Sequence, residues 1–255
     1  MTLIYEPQGS ARSDAALACN VYKGCDHACK YCYAPSATFN KREQFNAHPA
    51  RRPPAFLRDL EREAMERATA SVGGHVLLCF TCDPYQTLDV EAADTRRVIR
   101  ILHRTGHTIV TLTKGGTRAL RDLDLFTPRD EFASTLTTTS EDLREKWEPG
   151  TAKFEDRCAA LKQFYDAGIP TWVSLEPVLY EAEVFKIIEA TRGFVGHYRV
   201  GKLNRNAHAN TIDWRGFAER VIRYMTDNGV PFFVKKELLP FVPAGFLDTY
   251  NCRRP

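Results

Sequence analysis

Between Lys23 and Ala34 the chain reads KGCDHACKYCYA, which places Cys25, Cys29 and Cys32 at C-x3-C-x2-C spacing. Thiols this close crowd a regular helix or strand, whereas a short loop can wrap three thiolates around one face of an iron–sulfur cube. Ordinary 4Fe–4S sites take four thiolates, and no fourth cysteine follows nearby. The iron left unfilled is then free to bind a small molecule, the arrangement an enzyme needs. A second reading is a zinc loop, since zinc takes four Cys or His ligands. His27 or Cys82 would complete it and arginine pairs would contact phosphate, giving a zinc-stabilised, non-catalytic nucleic-acid-binding protein.

The elements that must hold such a loop are readable from periodicity. Ala15 to Tyr22 reads as a first strand delivering the chain into the loop, after an irregular lead-in over 1–14. Cys19 in that strand reads as a small buried residue. Residues 35–54 are polar and proline-bearing, which suits a flexible excursion near an active-site mouth. Helices are then predicted over 55–70, around Val98–Leu102, and over 118–125, 141–147, 154–167, 184–191 and 214–227. Strands are predicted over 75–80, 107–112, 131–139, 170–175, 194–203 and 230–236. Strands alternating with helices argue for a parallel sheet. Six or seven such units fall short of an eightfold barrel. The expected fold is α/β, a partial parallel (β/α)6-type barrel forming a single domain over 1–255.

Composition supports a folded chain. With 255 residues, 44% of them hydrophobic, it can bury a substantial core, so disorder is not the default. A net charge of +3 does not announce a nucleic-acid binder. The basic pairs Lys41-Arg42, Arg51-Arg52, Arg96-Arg97 and Arg253-Arg254 read as solvated faces. No stretch approaches the ~20 apolar residues of a membrane span, and the N-terminus lacks the basic and apolar regions of a signal peptide. A cytoplasmic protein is expected, in which eight cysteines serve as metal ligands or buried thiols rather than disulfides.

With Tyr31 before its last cysteine, the loop resembles the signature of radical S-adenosylmethionine (SAM) enzymes. The wider string G-C-x-H-x-C-x-Y-C-Y-A resembles their spore photoproduct lyase-like subfamily. The resemblance covers nearly the whole chain and implies the same partial barrel. It also implies a 4Fe–4S cluster on Cys25, Cys29 and Cys32, whose fourth iron chelates the amino and carboxylate groups of SAM. One electron, from a donor such as flavodoxin or ferredoxin, would cleave SAM to methionine and a 5′-deoxyadenosyl radical that abstracts hydrogen from substrate. The subfamily raises a DNA photoproduct as that substrate, with a peptide, tRNA or small metabolite left open.

In parallel α/β barrels the loops at the strand C-terminal ends build the site. The cysteine loop follows the first expected strand, Asp83 the second, Lys114 the third and Glu176 the fifth, while Thr135 and Thr137 share a face of the fourth. Asp83, in TCDPYQ, resembles the subfamily's T-D-P-Y-Q, and a carboxylate there suits the SAM ammonium. Lys114, in TKG, resembles its T-K-S and is expected to pair with the SAM carboxylate. By itself a lysine before two glycines is as readily a solvated loop residue. Thr135 and Thr137 are expected to hydrogen-bond the ribose or carboxylate, against an ordinary β-forming role. Tyr31 is expected beside the adenine, and Glu176 toward ribose or substrate. Glu148 and Arg157 resemble the family's E-P…R pattern and read as a structural ion pair. Cys79 and Cys82 form a second C-x2-C, but on a strand they would point to opposite faces, which argues against a shared metal. Spore photoproduct lyase returns a hydrogen atom from a cysteine near this point. The register here differs, and Cys82 at a strand end is the better candidate for a site thiol.

Overall fold

The computed structural model describes residues 2–8, 12, 14–70 and 74–245; Cys252 and Arg253-Arg254 lie outside them. Strand β1 (Leu17–Cys19) leads into the cysteine loop, and Tyr22–Lys23 (β2) pairs antiparallel with Ala50–Arg51 (β3) in a small separate sheet. After β1 the main sheet continues through β4 (His75–Leu78), β5 (Thr108–Thr113), β6 (Glu131–Thr135), β7 (Thr171–Leu175), β8 (His197–Val200) and β9 (Phe232–Val234). These seven strands lie in chain order and every neighbouring pair is parallel.

Parallel neighbours require crossovers, and right-handed crossovers that never reverse direction leave their helices on one side of the sheet. The connecting segments run α1 (Ala34–Ala37), α2 (Arg42–Ala47), α3 (Phe56–Thr69), α4 (Thr87–Ala92), α5 (Asp94–Arg104), α6 (Glu141–Trp147), α7 (Phe154–Asp166), α8 (Glu181–Thr191) and α9 (Trp214–Asp227). In α5 the buried Val98, Ile99, Ile101 and Leu102 face the sheet, while Arg97 and Arg100 face solvent. Fully burying such a side chain contributes about 1.5–3 kcal/mol. The helix-side core continues through Leu161 and Phe164 of α7, Ile187 and Ile188 of α8, and Phe217 and Val221 of α9. On the inner side a second cluster of Ala15, Ala18, Leu77, Val110, Ala133 and Trp172 fills the barrel. The three alanines leave room for the indole, and the Arg199 guanidinium stacks 3.7 Å from its ring centroid.

Among the described residues no ladder joins β9 to β1, so the barrel is partial, as expected. The lead-in is irregular but occupies the seam. Tyr5 and Ala18 exchange main-chain hydrogen bonds of 3.0 and 2.8 Å. Asp14 places one carboxylate oxygen 2.8 Å from Lys235 Nζ, just past β9, and the other 3.1 Å from Arg199 Nη1 on β8.

Several predicted boundaries are corrected. Residues 35–54, expected as a polar excursion, carry most of α1 and all of α2 and β3. The first strand is shorter than 15–22, because Tyr22 and Lys23 leave the main sheet to pair with β3. Strand β6 stops at Thr135 instead of 139: the Thr138 hydroxyl and the Thr139 amide and hydroxyl all donate to Glu183 Oε2, turning the chain toward α8. Strand β4 stops at Leu78, because Cys79 adopts φ 66° and the Phe80 and Thr81 amides donate to Asn20 Oδ1. The short helix expected over 118–125 is a 3-10 helix and begins earlier, at Gly116. Among the described residues no helix is long and apolar enough to cross a membrane.

Candidate cluster and cofactor site

The cysteine loop is held through its backbone groups, most of them bonded to partners outside it. Cys32 N donates to Cys29 O (3.1 Å) and Cys25 N to Phe45 O (3.2 Å). Gly24 has φ 75°, and a Cβ there would lie 2.6 Å from Phe45 O, so the entry to the loop needs glycine. Arg42 of α2 donates to the carbonyls of Cys29 (3.0 Å) and Cys32 (2.6 Å). Asp26 N donates to Gln86 Oε1 (3.2 Å), and Thr87 N donates to the Asp26 carboxylate (3.0 Å). From the other side, Lys30 N donates to Trp147 O (2.8 Å) and Gly150 N to His27 O (3.1 Å).

The second buried unit centres on Asp83. Its Oδ1 accepts from Thr113 Oγ1 (2.6 Å) and Tyr85 N (2.9 Å), and its Oδ2 from Lys114 N (2.8 Å), with His27 Nδ1 3.3 Å away. Burial works to raise this carboxyl, but His27, Thr113 and the Lys114 amide prevail and hold it well below the ordinary carboxylate range. These four donors occupy a carboxylate's roughly four lone-pair sites. Asp83 therefore offers a ligand its charge rather than a free oxygen. The opposite ring nitrogen of His27, Nε2, lies 3.1 Å from Arg118 Nη2. Guanidinium only donates, so Nε2 accepts and Nδ1 carries its proton toward Asp83. Both ring nitrogens are engaged, which removes His27 from the zinc alternative.

Cys25, Cys29 and Cys32 line one cavity of about 700 Å³. Tyr31, Cys82, Asp83, Lys114, Thr135 and Glu176 line it too, so the strand-end residues converge as expected, Thr137 excepted. Thr137 is buried beyond the end of β6 and its hydroxyl has no partner among the described residues. Cys79 also lines the cavity. The opposite-face argument for the cysteine pair falls with the strand it assumed.

Lys114 is the notable cation. Its ammonium lies 5.8 Å from the Tyr31 ring centroid and makes no hydrogen bond among the described residues. Burial opposes its charge, yet Cys29, Glu148 and Asp83 outweigh that and raise its pKa. Glu148 is fully buried, accepts from the Tyr31 hydroxyl, and has Arg157 Nη2 2.8 Å from its Oε2, so the expected ion pair is present. Burial raises this carboxyl too, but Arg157 and Lys114 lower it overall.

The sequence reading passed over several residues of this wall. Ser174 lines the cavity beside Thr135, its partner in the β6–β7 register. Lys235 lines it as well, buried and 2.6 Å from Glu176 Oε2. Burial raises the Glu176 carboxyl against the opposing pull of Lys235. The strand-end rule that found Lys114 and Glu176 also points to Lys235, which directly follows β9.

The donor set fits a cube better than a single ion. All three loop cysteines are unpaired thiols facing one space. Among the described residues, no three His, Cys, Asp or Glu groups converge as a single ion requires. A cube is wider and spreads its thiolates. Burial pushes the Cys29 thiol up to about 12 and the Cys25 thiol well above its usual value, so cluster binding must displace their protons.

Three of the arginines that would have contacted phosphate are turned to carboxylates. Arg51 and Arg97 bind Asp94 (2.7 Å each), and Arg96 binds Asp124 (2.6 Å).

Residues 19–195 match the family model of the radical SAM superfamily. The protein MJ0683 of Methanocaldococcus jannaschii is 27% identical over 195 residues, covering 74% of this chain and 70% of its own. Rv2578c of Mycobacterium tuberculosis is 30% identical over 176 residues, covering 63% of this chain, which spans 48% of that protein's length. Among solved structures, Streptococcus suis SuiB bound to S-adenosylmethionine superposes with a TM-score of 0.65 at 13% identity, over 89% of this chain and 52% of SuiB. Spore photoproduct lyase complexed with dinucleoside spore photoproduct superposes at 0.63 and 17% identity, over 84% of this chain and 63% of that one. At such identities the structural likeness establishes the fold, and the family match does more: this chain belongs to the radical SAM superfamily, whose members work with a 4Fe–4S cluster and SAM.

Proposed function

We propose that the chain is a radical SAM enzyme whose cluster is held by Cys25, Cys29 and Cys32. The observation that carries this reading is the shared cavity, where three loop thiols stand with Lys114, whose ammonium makes no hydrogen bond among the described residues. When bound, the cluster and SAM supply a 5′-deoxyadenosyl radical able to take hydrogen from an unactivated position. This chain's own residues bind and orient. Lys114 pairs with the SAM carboxylate, a charge-assisted contact about twice as strong as a neutral one. Asp83 contributes negative charge near the ammonium, and Thr135 and Ser174 offer hydroxyls to the ribose. Tyr31 flanks the adenine. Glu176, fixed by Lys235, receives a donor from ribose or substrate. Cys82 presents a thiol to the same space, and barrel walls exclude water. A small electron carrier such as flavodoxin or ferredoxin supplies the electron.

A lyase acting on a nucleic-acid photoproduct is the substrate reading with most support. Tyr33 is 40% exposed beside Phe80, their ring centroids 5.4 Å apart, on the cavity wall. Such a pair can stack a base, a contact worth about 1–3 kcal/mol. Anaerobic reconstitution tests the central reading. The protein should turn brown, hold about four irons per chain and form 5′-deoxyadenosine from SAM under dithionite. A colourless protein that takes up zinc overturns it. Binding to irradiated DNA that weakens steeply with salt tests the substrate, and no binding at low salt removes nucleic acid.

A further inference from the structure

We propose that Glu148 is a positioning residue for the cluster: it tethers the loop through Tyr31 and sets a fixed negative charge beside it that lowers the cluster's reduction potential. The inference rests on the cluster reading above. Residues 147–150 grip the cysteine loop at three points. Trp147 O accepts from Lys30 N at 2.8 Å, Glu148 accepts from the Tyr31 hydroxyl, and Gly150 N donates to His27 O at 3.1 Å. The fit is tight, for a Cβ on Gly150 would lie 2.3 Å from Asp26 O. All three points fall between Cys25 and Cys32, and Tyr31 stands between the second and third ligands.

The gripping segment is itself immobilised. Arg144 Nη1 donates to the carbonyls of Glu148 (3.2 Å), Pro149 (3.0 Å) and Thr151 (3.2 Å). Arg157 stands 2.8 Å from Glu148 Oε2 while donating to Thr135 O (2.9 Å) and Ala152 O (2.8 Å). Holding a tyrosine hydroxyl needs only a neutral acceptor. A carboxylate here, fully buried, carries a large desolvation penalty that tethering alone does not require. What it adds, besides pairing Arg157, is charge, and cluster potentials respond to nearby charge and hydrogen bonding.

The test uses the full chain reconstituted without oxygen, comparing Glu148→Gln and Tyr31→Phe by iron content, redox titration followed by electron paramagnetic resonance, and cluster loss to a chelator. Glu148→Gln should keep about four irons and titrate at a more positive midpoint. At the potential that half-reduces the wild type, its reduced-to-oxidised ratio should rise about tenfold, equivalent to about 59 mV for one electron. Tyr31→Phe retains the charge and should titrate near the wild type, yet surrender iron to the chelator several-fold faster. A loaded Glu148→Gln protein with the wild-type midpoint overturns the proposal, as does a Tyr31→Phe protein that keeps its cluster as long as the wild type. If Glu148→Gln fails to load, the Tyr31→Phe chelation rate decides. A wild type that takes up no iron defeats the underlying cluster reading, a result distinct from all of these.

Discussion

Around the cysteine loop the cavity wall is fixed by hydrogen bonds to loop backbone groups, with the Lys114 ammonium unbonded among the described residues. Along the seam the same cavity is walled by matched charges, Asp14 and Glu176 on Lys235 at 2.8 and 2.6 Å, with Arg199 on Asp14 at 3.1 Å. On the proposed reading, the first region holds a group the chain does not supply. The second is electrically complete without one. Removing Cys29 or Lys114 should therefore impair function with little cost to the fold, whereas removing Lys235 should cost stability.

The largest effect should follow Cys29→Ala, which is expected to abolish both cluster retention and SAM cleavage, read as iron per chain and 5′-deoxyadenosine formed. Its melting temperature in the metal-free state should stay near that of the wild type. At the seam, Lys235→Met strands Glu176 and leaves Asp14 with Arg199 alone, and should destabilise the fold by about 3–5 kcal/mol, read by urea unfolding; a loss below about 1 kcal/mol would break the comparison. Lys114→Met should raise the SAM concentration needed for half-maximal cleavage roughly tenfold, as loss of a charge-assisted contact predicts, with little change in unfolding.

The smallest effect is in pH dependence, where the regions should slope in opposite directions. Glu148 has its pKa lowered from 4.5, so its contribution is present above that value and fades as pH falls below it. Glu176 has its pKa raised from 4.5, so the folded state holds a proton that the unfolded chain releases, and its contribution shrinks as pH rises above 4.5. Relative to the wild type, Glu148→Gln should be most destabilised near neutrality, and Glu176→Gln should gain as pH rises. Parallel pH curves for the two variants would sink this assignment.

The two regions also differed in how far they could be read in advance. The loop is local: C-x3-C-x2-C needs no fold to be recognised, and Asp83, Lys114 and Glu176 follow once strand ends are located. Asp14, Arg199 and Lys235 meet only when the sheet curls, across sequence separations of 185 and 221 residues. The strand expected over 230–236 runs past Lys235, whereas β9 ends at Val234, which hid the lysine's position as a strand end. Thr137 was misplaced for a related reason. Its run of threonines has strand propensity, but Glu183, 44 residues from Thr139, captures the donors that would have extended the ladder. His27 shows the reverse case, in which the sequence offers a ligand and the fold spends both ring nitrogens on Asp83 and Arg118.

The gap between β9 and β1 bears on cavity width. A closed ring of strands sets its circumference by strand number and stagger, and any adjustment must break a ladder. Here the last interval is spanned by the reach of an aspartate, a lysine and an arginine. Lengthening one of them, as in Lys235→Arg or Asp14→Glu exchanges that keep the charge, would resize the chamber without touching any strand register.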